Sequence, residues 1–313
     1  GISIGIGAGV STGPSGSYNI HIGQNAGKNS GNSSDNIYIG NKAGNDMTSY
    51  GDNIFIGKSD GSPTTATGTV CIGATQKPMY SSSTLMNYCT FVGLYAGTSQ
   101  DYAYTASNTK NTALGYYALK NSAASVANST GIGADSMVTG SNQVQLGNSL
   151  TTTYAYGAVQ DRSDIRDKAD IRNTELGLDF ILALRPVDYK WDMRDDYIPS
   201  EELRPKREDF ETEEAYETAS VAFSNSCKVE NLVHNGSKKR NRYHSGFIAQ
   251  EVKGVIDTQG IEFGGYQDHS TNGGQDVKTI GYAEFIAPLV KAIQEQQSII
   301  ASLTARVEAL EAN

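Results

Sequence analysis

Apolar pairs separated by one residue and closed by glycine recur along the first half of the chain. They read Ile2-Ser3-Ile4-Gly5, Ile20-His21-Ile22-Gly23, Ile37-Tyr38-Ile39-Gly40, Ile54-Phe55-Ile56-Gly57 and Val70-Cys71-Ile72-Gly73, followed by looser copies ending at Gly93, Gly115, Gly133 and Gly147. Nine copies, roughly fourteen to twenty-two residues apart, are the signature of a stacked repeat array or solenoid. Several extend to Asn-apolar-x-apolar-Gly-x-x-Ala-Gly, as from Asn36 to Gly44. Each copy predicts a short strand with period-two alternation, a glycine turn and a Ser/Asn/Gly-rich loop. Glycines inside every unit argue against helix. Stacking is expected to bury Ile4, Ile22, Ile39, Ile56, Ile72, Val92, Leu114, Ile132 and Leu146 as one ladder, with the residues two earlier as a second. His21, Tyr38, Phe55, Cys71 and Phe91 are then expected on the opposite face.

The pattern changes after position 150. Leu176, Phe180, Ile181 and Leu184 lie at helical spacing, with Thr174 as the predicted N-cap and Pro186 as the exit. Val187 to Trp191 alternates like a strand, Tyr154-Ala155-Tyr156 carries a weaker strand signal, and a helix is predicted around Arg207 to Ala219. Leu289, Ile293, Gln296, Ile300, Leu303, Val307 and Leu310 follow alternating steps of four and three, the seam of a coiled coil. These shifts divide the chain into a β-repeat shaft (1–150), a connector (151–162) and a carboxy-terminal domain (163–313). Within that domain lie an inserted charged arm (192–243), expected to clasp the shaft or a neighbouring subunit, and the coiled coil (289–313).

Charge sharpens the division. Residues 1–150 hold six Lys, six Asp, no Arg and no Glu, so the net charge of -9 belongs wholly to the second part. A neutral shaft and an acidic domain exclude nucleic-acid binding through a basic face. The cluster Lys238, Lys239, Arg240 and Arg242 stands among mixed charges and reads as a solvated face. Three cysteines (71, 89, 227) and four scattered histidines (21, 234, 244, 269) have no disulfide-framework or metal spacing, so no metal or cofactor is expected. No apolar run is long enough for a transmembrane helix. The chain opens at Gly1 inside a repeat and reads as the carboxy-terminal part of a longer protein.

At the boundary stands Ser163-Asp164-Ile165-Arg166-Asp167-Lys168. A serine hydroxyl becomes a nucleophile when a base takes its proton, and a neutral lysine amine is such a base when withdrawn from water. On residue type alone, a Ser and a Lys five apart suit a solvated loop better than a catalytic pair. Three further blocks follow in order: Leu184-x-Pro186-Val187-x-Tyr189-x-Trp191, Gly246 to Val252, and Tyr282 to Glu295.

Together these four blocks resemble the endosialidase-type intramolecular chaperone domain of self-cleaving phage fibre proteins. The repeats resemble the head repeats of trimeric autotransporter adhesins and the β-structured shafts of phage tail fibres. The resemblance implies a homotrimer whose carboxy-terminal domain templates folding of the shaft and cuts itself off at Arg162-Ser163. Ser163 would be the nucleophile and Lys168 its general base, with Asp164 and Arg166 in supporting structural roles. It implies a place in the virion tail fibre or spike, assembled in the host cytoplasm, with the chaperone released. It implies a trimer although the seam, with Ile and Val at one position and Leu at the other, favours a dimer by the simple rule.

The expected fold is therefore a mainly β repeat array followed by an α+β domain ending in a parallel coiled-coil helix. Tyr38, Phe55, Phe91, Tyr95 and Tyr116 are candidate contacts for a host-surface glycan, the competing reading being that they pack between subunits or rungs. A glycan-degrading spike is a second reading, but a shaft without Glu offers no paired carboxylates, so its site would lie upstream. A cellular trimeric adhesin using the same domain is a third.

Overall fold

Each apolar-x-apolar triplet of the first half forms a three-residue strand, since the glycine after it turns the backbone out of the sheet. A computed structural model describes residues 1–10, 16–31, 33–47, 51–58, 65–73, 85–97, 108–119, 126–272 and 274–312. Several of the polar loops expected between strands lie outside the described residues. The strands are β1 (Ile2–Ile4), β2 (Ile20–Ile22), β3 (Ile37–Ile39), β4 (Ile54–Ile56), β5 (Thr65–Thr67), β6 (Val70–Ile72), β7 (Leu85–Asn87), β8 (Thr90–Val92), β9 (Asn108–Thr109), β10 (Thr112–Leu114), β11 (Thr130–Ile132) and β12 (Val144–Leu146). Nine of them stack as one parallel sheet in the order β1-β2-β3-β4-β6-β8-β10-β11-β12, with β5-β7-β9 as a second ribbon. Equivalent residues face each other, for example His21 with Tyr38 and Tyr38 with Phe55. The shaft is a β-solenoid, as the repeats predicted.

Its faces are the reverse of the expected ones. The middle residue of each triplet points into the solenoid: Tyr38, Phe55, Cys71, Phe91 and Ala113 are buried, and so is His21. The flanking apolar residues are half-buried or exposed, with Ile56 at 36%, Leu114 at 38% and Ile132 at 42% of their full surface. Period two says which residues share a face but not which face is inside. The interior is narrow, and over His21, Tyr38 and Phe91 it is closed by a returning Ala-Gly pair. A Cβ at Gly44 (φ +64) would lie 2.4 to 2.6 Å from three Tyr38 ring carbons, and one at Gly97 (φ +67) would meet the Phe91 ring equally closely. The Ala-Gly of the repeat is therefore the complement of the residue it covers.

A second internal ladder runs beside the aromatics. The residue before each sheet strand from β2 on is Asn19, Asn36, Asn53, Thr69, Cys89, Asn111, Ser129 or Gln143, and most are fully buried. Asn36 donates its backbone N–H (2.9 Å) and side-chain amide (3.1 Å) to Asn19 Oδ1, and Asn53 repeats this on Asn36 (3.1 and 3.0 Å). Thr69 N–H continues to Asn53 Oδ1 (3.1 Å), and Ser129 N–H to Asn111 Oδ1 (3.0 Å). Each side chain satisfies a buried backbone donor of the next rung, which strand pairing alone leaves open. Cys71, Cys89 and Cys227 are buried thiols, and burial pushes the Cys89 thiol up.

His21 begins the internal stack. Its ring lies flat against Tyr38 at 5.3 Å, Tyr38 follows on Phe55 at 5.5 Å, and His21 Nε2 has no hydrogen-bond partner among the described residues. Burial holds its imidazole below the ordinary value of 6.5. Below that pH the unfolded chain takes up a proton that the folded chain does not, so stability falls as pH drops through about 6.5 and levels off beneath the lowered folded value. The His21→Phe protein should lack this contribution, at most about 1.4 kcal/mol per pH unit. Urea midpoints at pH 7.5 and 5.5 compare the two; an equal acid sensitivity in parent and variant would refute it.

The second part of the chain divides its loyalties. Residues Gly1–Thr153, Met193–Lys238 and His269–Val277 form one unit, and Tyr154–Asp192, Lys239–Asp268 and Lys278–Asn313 form another. The inserted arm thus groups with the solenoid. It contains α2 (Glu213–Ser226), capped by Thr212 Oγ1 on Ala215 N–H at 3.2 Å, which starts six residues later than the helix predicted around Arg207. Tyr216, Ser220 and Ser224 form its buried face.

The other unit contains α1 (Leu178–Ala183), β13 (Val187–Lys190), β14 (Tyr243–Gly246), α3 (Ala249–Gln259), β15 (Tyr266–Asp268), β16 (Lys278–Ile280) and α4 (Ile286–Glu311). Its core is Phe180, Val252, Ile256, Phe263 and Phe285. Thr174 does not cap α1; its hydroxyl accepts Leu176 N–H at 3.1 Å, and the helix opens after Gly177. The cap comes from α4 instead, where Glu295 Oε2 accepts Leu178 N–H at 2.7 Å, which lowers the Glu295 pKa. A Cβ at 177 would lie 2.3 Å from that carboxylate, so any other residue there would push the Glu295 cap aside. On α4 Pro288 and Ala292 are buried, while the heptad residues Leu289, Ile293, Ile300, Leu303, Val307 and Leu310 are exposed. Tyr154 and Tyr156 form no strand; they stand fully exposed on the connector.

Candidate active site

The boundary hexapeptide folds on itself. Asp164 is the N-cap of a single 3-10 turn, Ile165–Asp167, its carboxylate accepting Arg166 N–H at 2.9 Å. The same carboxylate takes three hydrogen bonds from the Arg166 guanidinium at 3.0, 3.2 and 2.6 Å, which holds the Asp164 carboxyl below the usual range. Lys168 N–H closes the turn on Ile165 O at 3.2 Å. Chain reversal brings the two ends together, and Lys168 Nζ donates to Ser163 Oγ at 2.8 Å. Arg162, before the serine, pairs with Asp167 at 2.7 Å.

Among the described residues, the hydrogen bonds and ion pairs of this small structure lie within residues 162–168. Ser163 and Lys168 are both exposed, as are Arg162, Arg166 and the whole connector from Thr151. Such surface ion pairs contribute little to stability; here they set geometry. An amine within hydrogen-bond reach of a hydroxyl is the arrangement a serine–lysine pair requires.

His244, the remaining histidine near a recognised block, lies opposite Tyr189 in the β13–β14 pair, with its ring 6.0 Å from Tyr189 and 6.1 Å from Trp191. The candidate glycan contacts separate into two groups. Tyr38, Phe55 and Phe91 are interior and present no face to a ligand, because the reversed strand orientation turns them into the solenoid, Tyr38 and Phe91 under an Ala-Gly cover. Tyr95 and Tyr116 remain at least partly exposed, grouped with Tyr117, which stacks on Tyr95 at 4.8 Å and tilts against Tyr116 at 4.2 Å.

In chain order the protein is a β-solenoid, a mixed α/β region and a long terminal helix. Residues 163–210 match the family model described as the chaperone of endosialidase, peptidase S74, and that match behind a β-solenoid fits a tail fibre or spike with a chaperone region. The matched segment starts at Ser163, the first residue of the folded hexapeptide. No curated protein and no solved structure matches the chain. The family implies a self-cleaving intramolecular chaperone and, in general, assembly as a homotrimer. The Asn ladder, the Ala-Gly cover and the Glu295 cap were not assigned roles from sequence; the recurring Asn before each strand was the visible sign of the first.

Proposed function

We propose that this chain is the end of a homotrimeric viral tail fibre or spike that takes part in host-surface attachment. Its carboxy-terminal domain trimerises, templates folding of the solenoid and frees itself by cutting Arg162-Ser163. The observation that carries this reading is the 2.8 Å contact of Lys168 Nζ with Ser163 Oγ at the start of the family-matched segment.

The chemistry follows from position. Ser163 lies immediately after the scissile bond, so its Oγ attacks the Arg162 carbonyl carbon while the Lys168 amine takes the hydroxyl proton. The C–N bond breaks, the Ser163 nitrogen accepts a proton, and an ester links Arg162 to Ser163 Oγ. Water then hydrolyses the ester, leaving a carboxylate on Arg162 and a free amine on Ser163. A lysine in water is an ammonium, and Lys168 is exposed in the single chain. Covering the turn favours the neutral amine, so assembly of three chains gates the reaction.

Trimerisation is supported by what one chain leaves uncovered. The heptad seam of α4 and the outward Ile, Val and Leu stripes of the solenoid leave rows of apolar side chains exposed, the kind of surface that marks an association site. A domain that pins three chains at one end fixes the register of shafts whose rungs are alike.

The test is mass analysis of purified protein together with light scattering. A fragment beginning at Ser163 and a trimeric mass are expected. A stable monomer, or an intact chain under conditions where the trimer has formed, would reject the proposal.

A further inference from the structure

We infer that cutting Arg162-Ser163 does not by itself separate the two pieces, because segments beyond the cut are built into the end of the solenoid. This inference rests on the cleavage reading above. The unit containing the solenoid includes Met193–Lys238 and His269–Val277, all of which follow the proposed scission point.

The joint is made of named contacts. Gln275 N–H donates to Thr139 O at 2.7 Å. His269 Nδ1 meets both the Thr139 hydroxyl and, at 3.1 Å, Gln143 Nε2. Ser149 Oγ donates to Asp196 Oδ1 at the start of the arm. Gly274 sits so tightly that a Cβ there would lie 2.5 Å from Thr139 O and 2.3 Å from His269 O. Arg194 ties arm to loop, donating to Val229 O at 3.0 Å and to Asp276 O at 2.7 Å.

Gln143 shows why the joint falls here. It occupies the last position of the buried ladder, and its Oε1 takes Thr139 N–H at 2.9 Å and Gly140 N–H at 3.1 Å. One methylene longer than Asn, it carries the ladder past the final rung to His269. The terminal strand β12 pairs with β11 alone in the sheet. An uncovered solenoid end is an aggregation template and needs a polar cap; the 269–277 loop and the arm supply it. Bond cleavage and departure are thus separate steps, and departure requires withdrawal of this cap.

The experiment makes the cut independently of self-cleavage. A site-specific protease sequence replaces 154–159 in the exposed connector of the full-length Ser163→Ala chain; denaturing gels report the cut and native size exclusion reports association. Both pieces are expected to co-elute after complete cutting. In the Gly274→Leu, His269→Ala double variant the pieces should part about tenfold faster or more, the effect of losing two or three hydrogen bonds. His269→Ala alone, which inserts nothing, gives the same reading if the double variant fails to fold. Prompt separation of the parent pieces, or variants whose pieces stay together as long as the parent's, would overturn the inference. Failure of the unmodified chain to cut itself would count only against Ser163 and Lys168, since the added protease makes the cut here.

Discussion

The Lys168→Met chain is expected to remain whole where the parent splits before Ser163. Methionine keeps the length and volume of the side chain but removes the amine that contacts Ser163 Oγ at 2.8 Å. Losing a positioned general base slows such a step by about 10² to 10⁴, so a denaturing gel over a day distinguishes the two proteins. Asp164 acts through position, holding the turn by its bond to Arg166 N–H. Asp164→Ala should slow cleavage less than Lys168→Met, and Asp164→Asn, which retains the capping oxygen, should recover much of the rate. Parental cleavage by Lys168→Met would remove the lysine from the mechanism. Recovery by neither Asn nor any other capping side chain at 164 would place the role of Asp164 in its charge.

Tyr38→Ala should be the most damaging single truncation in the solenoid. Tyr38 is completely buried, stacked between His21 and Phe55, roofed by Gly44, with its hydroxyl 3.4 Å from Met47 Sδ. Emptying such a site costs about 3–5 kcal/mol, read as a fall in the urea midpoint of the shaft. Tyr38→Phe keeps the ring and loses one weak contact, so it should stay within about 1 kcal/mol of the parent. If Tyr38→Ala unfolded no earlier than Tyr38→Phe, the ring would have to face solvent, and the interior assignment of the whole stripe would fall with it.

These two sites show what can be read from a sequence and what cannot. The hexapeptide was legible because its geometry is local: a capping Asp, an Arg two residues on and a turn bring Ser163 to Lys168 with no help from distant chain. The solenoid was legible because its repeat is regular and its glycines exclude helix. The register of the strands also followed from the repeat, since like residues stack on like. By contrast, the faces were misassigned by hydrophobicity. Ile22, Ile39 and Ile56 are more apolar than His21, Tyr38 and Cys71, yet the latter are inside, because alternation fixes which residues share a face and the returning chain, not side-chain polarity, decides which face it covers.

The sequence by itself determined the repeated strand, the apolar heptad seam and the serine–lysine spacing, all products of spacing within a few residues or a fixed period. Tertiary structure alone decided which side of each strand is interior, that Glu295 caps α1 across 117 residues, and that His269 and Gln275 close a solenoid ending more than a hundred residues earlier. Those contacts carry no local signature, because the partners need only shape and one donor or acceptor each, and any of many residues supplies that until the fold brings two together.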